Sequence, residues 1–362
     1  MKLLASLAAI PLLMCGLSGA AAAPKQGRHP PSEDCRDDDG VDRCDPEQHR
    51  RVLARYGLQP IETHLAAGDM VRRAFFVDGY GNDLVAISFV RAKGRDPVLW
   101  VHVPSGKEQG RPPMQASVPG PVWDDLVRRS AHFDRTLGPA PKPKPNPDSE
   151  WEEIVLCSHS WVYTVEATEL ADRLDVRLAR VRRKTDDACE EGLAQAFALE
   201  LARAAVPLLP ACALLDPRQH RNLASLLSAC TLLSGDRLAA AEVMNRLDLL
   251  DDVGHGPNAA LAAKVFSIEA EVDWQGSRSA GPGEAAKIWV DKLAGGGAHL
   301  FYEAIEGLSA DRVRFVGALS RHVEVSNGQS VYQRARVEQI WRREGGDFSI
   351  ERALVGPWEQ QR

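Results

Sequence analysis

The chain has 362 residues, 44% of them hydrophobic, with 44 lysines and arginines against 50 aspartates and glutamates for a net charge of −6. This length sets an expectation of two domains, and the composition excludes wholesale disorder, a collagen-like fibre and a small disulfide scaffold. A mildly acidic chain without a dense basic stripe lacks the footprint of a nucleic-acid binder, so no nucleic acid is expected among its partners.

The chain opens on an address. Lys2 supplies a positive start, Leu3 to Leu17 an apolar core, and Ser18 to Ala23 small residues suited to a signal peptidase, so residues 1–23 read as a removable secretory signal. The apolar run of about 15 residues is short of the roughly 20 that span a bilayer. Met14 before Cys15 departs from the small residue that a lipid-attachment motif carries. Loss of Lys2 with the leader brings the remainder to −7. Farther on, Leu193 to Leu215 is interrupted by Glu200, Arg203, Pro207 and Pro210, so no integral membrane segment is expected after cleavage. The expected location is periplasmic or secreted.

Residues 24–45 are Pro-rich and then acidic, a flexible arm with too little apolar material for a core. Within the run from Cys35 to Asp45, Asp37, Asp39 and Asp42 around Gly40 offer the oxygens and the bend that a calcium loop needs. The run loosely resembles a single thrombospondin type 3 repeat. Cys35 in the first ligand position and Pro46 in the twelfth argue instead for a solvated turn pinched by Cys35 and Cys44, and no metal or other cofactor is assigned.

An N-terminal α+β domain is expected over 46–233. Pro46 to Tyr56 reads as a helix, followed by strands over Val71 to Asp78, Asp83 to Arg91 and Val98 to Val103. Val122 to Phe133 is expected as a helix, and the Pro-rich stretch 138–147 as an extended linker. Glu153 to Ala167 alternates as a strand with Asp175 to Arg183 as its hairpin partner. Thr185 is expected to cap a long helix with an acidic first turn and a Leu193, Phe197, Leu201 stripe; Asp216-Pro217 is expected to start a second. Ser158-His159-Ser160 invites a nucleophile reading, but a strand neighbour points to the opposite face and cannot serve as base. The mature chain has no G-x-S-x-G elbow, no H-E-x-x-H and no phosphate-binding loop.

Six cysteines remain after the leader: Cys35, Cys44, Cys157, Cys189, Cys212 and Cys230. An even number in an exported chain favours three disulfides, and no C-x-x-C or paired-His spacing supports zinc. A hairpin turning near 169–172 brings Cys157 toward Cys189; Cys35 with Cys44 is the local pair, leaving Cys212 with Cys230. A tight helical hairpin would instead join Cys189 to Cys230 and leave Cys157 for Cys212.

The last region, 236–358, begins with an amphipathic helix over Asp236 to Leu250, a short helix from Asn258 to Val265, a strand over Phe266 to Trp274 and a helix over Gly283 to Leu293. Strands follow over Leu300 to Glu306, Arg312 to Val325, Ser330 to Arg343 and Phe348 to Val355, turned at Asn327-Gly328 and Gly345-Gly346. Val331, Gln333, Ala335, Val337, Gln339 and Trp341 fall on one face of the third of these. This order, with its ending from Val337 to Ile350 through Trp341-Arg342-Arg343-Glu344-Gly345-Gly346, resembles the nuclear transport factor 2-like superfamily, including its SnoaL-like branch.

The resemblance implies a curved antiparallel sheet wrapped over helices into a cone, giving the whole chain an α+β fold class. It also implies a pocket for a small apolar ligand or a homodimer, since some members are isomerases or cyclases and many are binding or dimerisation modules. Asp273 stands where the isomerase branch carries its base, with Tyr302 and His322 as candidate donors, but the first helix has no tyrosine for the oxyanion. The expected function is therefore an exported, disulfide-stabilised, non-enzymatic ligand-binding or self-association protein, with a lyase or isomerase as the alternative.

Overall fold

The computed structural model describes residues 46–78, 83–104, 113–135, 161–170, 179–187, 192–220, 222–255, 264–293, 298–325 and 329–360. The signal segment, the acidic arm with Asp37, Asp39, Asp42, Cys35 and Cys44, the linker at 138–147, His159, Cys157 and Cys189 lie outside these residues, as does most of the short helix expected from Asn258.

The first half is organised by an antiparallel sheet of six strands in the order β4-β3-β2-β1-β5-β6. These are β1 (Met70–Val77), β2 (Asp83–Arg91), β3 (Val98–His102), β4 (Met114–Ser117), β5 (Val162–Glu169) and β6 (Arg180–Asp187). β1 is buried along seven consecutive residues because helices cover both faces of the sheet. On one face α1 (Pro46–Tyr56) sets Leu53 and Tyr56 against Phe75 and Ala86, followed by α2 (Ile61–Ala67). On the other lie α3 (Gly120–Arg129), α4 (Leu193–Ala205) and α5 (Leu223–Thr231), packed on Phe76, Ile87 and Val165.

The expected α1, β1, β2 and β3 are present, whereas α2 and β4 were not foreseen. α3 starts two residues early, at Gly120, and stops at Arg129; Phe133 lies beyond it, stacked on Phe197 at 5.4 Å. β6 corrects two expectations. It runs on to Asp187, so Thr185 bonds across the strands to Thr164 (2.9 Å) instead of capping a helix. The helix begins at Leu193, and its cap reaches in from the strand: Asp186 Oδ2 accepts from the backbone N–H of Ala194 (2.6 Å) and Gln195 (3.1 Å). Asp216-Pro217 likewise starts only a single 3-10 turn, and the helix proper is capped by Asn222, which accepts from Ser225 N at 2.9 Å.

An unbroken helix from Pro217 would carry Cys230 about 20 Å away from its start; the break before Asn222 lets the chain return Cys230 beside Cys212. The two cysteines are bonded, with Cα atoms 4.8 Å apart, which rules out the scheme that joined them to Cys157 and Cys189.

The second half is one larger sheet in the order β7-β10-β11-β12-β13-β8-β9. β7 (Leu233–Gly235) leads into α6 (Arg237–His255), then β8 (Phe266–Trp274), β9 (Ser277–Ala280), α7 (Pro282–Leu293) and the meander β10 (His299–Ser309), β11 (Arg312–Val325), β12 (Gln329–Glu344) and β13 (Asp347–Val355). A short β14 (Glu359–Gln360) returns to β12. β7, β9 and β14 were not expected; the four meander strands stand where alternation put them. The β7–β10 pairing is parallel, and the chains meet at Gly235 and Gly307, where a side chain on Gly307 would collide with the carbonyl of Asp236. α6 and α7 fill the concave side, giving the cone-like α+β arrangement. A continuous apolar core runs from the first sheet through α4, α5 and α6 into the second.

Candidate functional site

Strand registers divide the second sheet into two faces. Along β12, Ala335, Val337, Gln339 and Trp341 are buried; their partners Leu319, Gly317, Phe315 and Val313 on β11, and Val355, Ala353 and Ile350 on β13, continue the same inward rows. Aromatic residues fill this side. Trp289 from α7 lies edge-on to Trp274 (5.4 Å) and Phe266 (6.1 Å), while Phe315, Trp341 and Phe348 are no more than 1% exposed. Gln339 Oε1 accepts from Trp341 Nε1 at 2.9 Å. At the wide end Arg321 donates twice to Gln333 Oε1 (3.0 and 2.9 Å) and lies 4.0 Å over Trp358.

The candidate catalytic residues do not meet inside. Asp273 pairs in register with Leu354, which is 45% exposed, so it lies on the outer face between the inward Val272 and Trp274. Its carboxylate is engaged locally, Oδ1 accepting from Gly276 N (2.8 Å) and Oδ2 from Arg278 Nε (3.2 Å). It therefore fastens the β8–β9 turn, in which Gln275 and Gly276 both have positive φ. Tyr302 does sit on an inward row, opposite Gly317 and edge-on to Phe315 at 5.9 Å. His322 stands opposite Tyr332 in the β11–β12 register. Among the described residues, no carboxylate lies on the inward rows of the sheet and no cluster of three or more His, Cys, Asp or Glu is arranged to hold a metal.

The outer face carries charge and exposed apolar side chains together. Arg314 pairs with Glu338 (2.9 Å), Arg334 with Glu303 (2.5 Å), Arg312 with Glu351 (2.8 Å) and Arg342 with Glu344 (2.7 Å). The hydrogen bond and charge of Glu338 raise the pKa of Arg314 above its usual value. Among these pairs stand Phe301, Tyr332 and Leu354, 39%, 50% and 45% exposed. No motif marks these three; their signal was apolar residues occurring in the outward phase of otherwise alternating strands.

No family model matches the chain, and no curated protein matches it. Among solved structures, hexachlorocyclohexane dehydrochlorinase LinA-type3 from Novosphingobium barchaimii LL02 is 18% identical, with 35% of this chain and 92% of that one covered at a TM-score of 0.30. An NTF-2 like protein of unknown function from Shewanella oneidensis MR-1 is 10% identical, covering 32% of this chain and 97% of its own at a TM-score of 0.27.

Proposed function

We propose that this protein is exported and that its second sheet, an NTF2-like cone, is a non-catalytic module through which two copies associate by their outer faces. The observation that carries the reading is the outward set Phe301, Tyr332 and Leu354 set among arginine–glutamate pairs. Four strands of 11, 14, 16 and 9 residues, at about 3.3 Å per residue and spacings near 4.8 Å, offer on the order of 800 Å², comparable with the roughly 800 Å² that each partner contributes to a stable interface. A two-fold axis would set this face against its own copy and bury the three apolar side chains, with the arginine–glutamate pairs around them. The filled inner face and the outward turn of Asp273 favour association over turnover.

Export is supported by the Cys212–Cys230 bond, which suits an oxidising compartment, and by the leader-like sequence of residues 1–23. Among the described residues no helix is long and apolar enough to cross a membrane.

Sedimentation equilibrium of the mature protein tests the association. The wild type should be a dimer at micromolar concentration, the Phe301→Glu/Leu354→Glu double variant a folded monomer by circular dichroism, and Asp273→Asn an unchanged dimer. A monomeric wild type would overturn the proposal. N-terminal sequencing of protein from intact cells should find a start just after Ala22 or Ala23; an uncleaved cytoplasmic chain would refute export.

A further inference from the structure

Where the two sheets meet, a cleft of about 480 Å³ opens between β4, the chain at 209–210 and the segment from the end of α5 to the start of α6. Its walls are chiefly apolar, with Met114, Leu209 and Leu233, and its polar residues are few: Gln115, Thr231, Ser234 and Arg237. This size lies within the roughly 300–1,000 Å³ of small-ligand sites, which favour such junctions and combine apolar walls with a few polar groups.

The covalent chemistry of the chain converges on the same place. Pro210 lies two residues before Cys212, and Thr231 directly follows Cys230, so the Cys212–Cys230 bond ties together two of the segments that line the cleft. A cross-link there limits how far these two segments can separate.

Arg237 gives the cleft its sign. It is exposed at the first position of α6 and has no carboxylate partner among the described residues, unlike the paired arginines of the outer face. The nearest acid in the sequence, Asp236, turns its Oδ1 to the Ala239 N–H at 3.2 Å, and the first turn of α6 carries no acidic residue. Asp236 thus caps the positive end of α6, and the cation that faces the cleft is the Arg237 guanidinium itself.

We propose that this cleft binds a small amphipathic carboxylate, its apolar body against Met114, Leu209 and Leu233 and its charge on Arg237. Calorimetric titration of the mature, oxidised protein with octanoate and with 1-octanol tests it. Octanoate should bind saturably with one site per chain and more tightly than 1-octanol. Arg237→Gln should weaken octanoate by about tenfold and leave 1-octanol unchanged, as expected for loss of a charge-assisted contact. Met114→Glu, on an edge strand with a part-exposed side chain, should weaken both. Absence of saturable octanoate binding to the wild type, or equal octanoate affinity for wild type and Arg237→Gln, would overturn the proposal; loss of binding on Phe301→Glu/Leu354→Glu, with Arg237→Gln unaffected, would move the site to the outer face and overturn it too.

Discussion

Glu166 and Arg183 are cross-strand partners on β5 and β6, and the fully buried carboxylate accepts a 2.6 Å hydrogen bond from the guanidinium Nε. The pair belongs to a transverse row beneath α1 that runs Trp100, Ser88, Arg73, Glu166, Arg183 across five strands. His49 of α1 reaches Glu166 at 3.0 Å, and Arg73, 1% exposed in its side chain, reaches it at 3.3 Å. The network thus ties the first helix of the described chain to the middle of the sheet.

Removing the central charge should be severe. Glu166→Gln leaves Arg73 buried without its counter-charge and should cost about 3–5 kcal/mol in urea unfolding. Burial by itself would raise the Glu166 pKa, but the His49 hydrogen bond and the charges of Arg183 and Arg73 outweigh it and hold the carboxyl at about 2, against an ordinary 4.5. Its contribution, on the order of 3 kcal/mol, is complete above the unfolded value and is lost as pH falls from about 4.5 toward 2. A loss in the Glu166→Gln variant of only about 1 kcal/mol, as for a surface pair, would contradict this account.

His102 on β3 supplies a second and higher acid window. Burial, then the nearby Arg73 charge, push its pKa from 6.5 down to about 4, against a small opposing effect of a backbone hydrogen bond with Tyr56. Between those values the unfolded chain binds the proton and the folded chain does not, so stability declines as pH falls through that range. His102→Asn should flatten the stability profile there and leave the steeper fall below it in place; a profile unchanged by the substitution would show that other groups cause the slope.

Asp186 caps α4 from outside the helix. Asp186→Ala should lower stability by about 1–2 kcal/mol, with Asp186→Asn retaining most of it because the amide oxygen still accepts from the Ala194 and Gln195 N–H groups. Thermal melts of the two variants make the comparison, and equal losses would argue that charge rather than capping matters.

The Cys212–Cys230 bond closes a loop over a sequence separation of 18. Chain-entropy arguments put its contribution at about 3 kcal/mol. Cys212→Ala/Cys230→Ala should show that loss in denaturant unfolding, and addition of reductant to the double variant should change nothing further at this site.

Much of the second sheet was legible in the sequence. Alternation along Arg312–Val325 and Gln329–Glu344, with Asn327-Gly328 and Gly345-Gly346 on either side of the second, fixes both the strands and most of the residues that face inward, because a strand's side chains alternate by geometry alone. Periodicity also placed α1, β1 and β2. It failed at β6, where Thr185-Asp186-Asp187 carries a helix-start signature that cross-strand pairing to Tyr163 and Thr164 overrides. Short elements such as β4, β7 and β9 hold too few residues to show a period and exist only because a neighbouring strand offers them hydrogen bonds. The site depended on tertiary structure still more. Sequence position put Asp273 at the end of a strand, but which face it occupies follows from the parallel register of β8 on β13, and the cleft at Arg237 exists only because two sheets distant in sequence meet beside a disulfide. Local chemistry is encoded within a few residues; registers between strands and the seam between sheets are long-range pairings, set by which buried surfaces fit together.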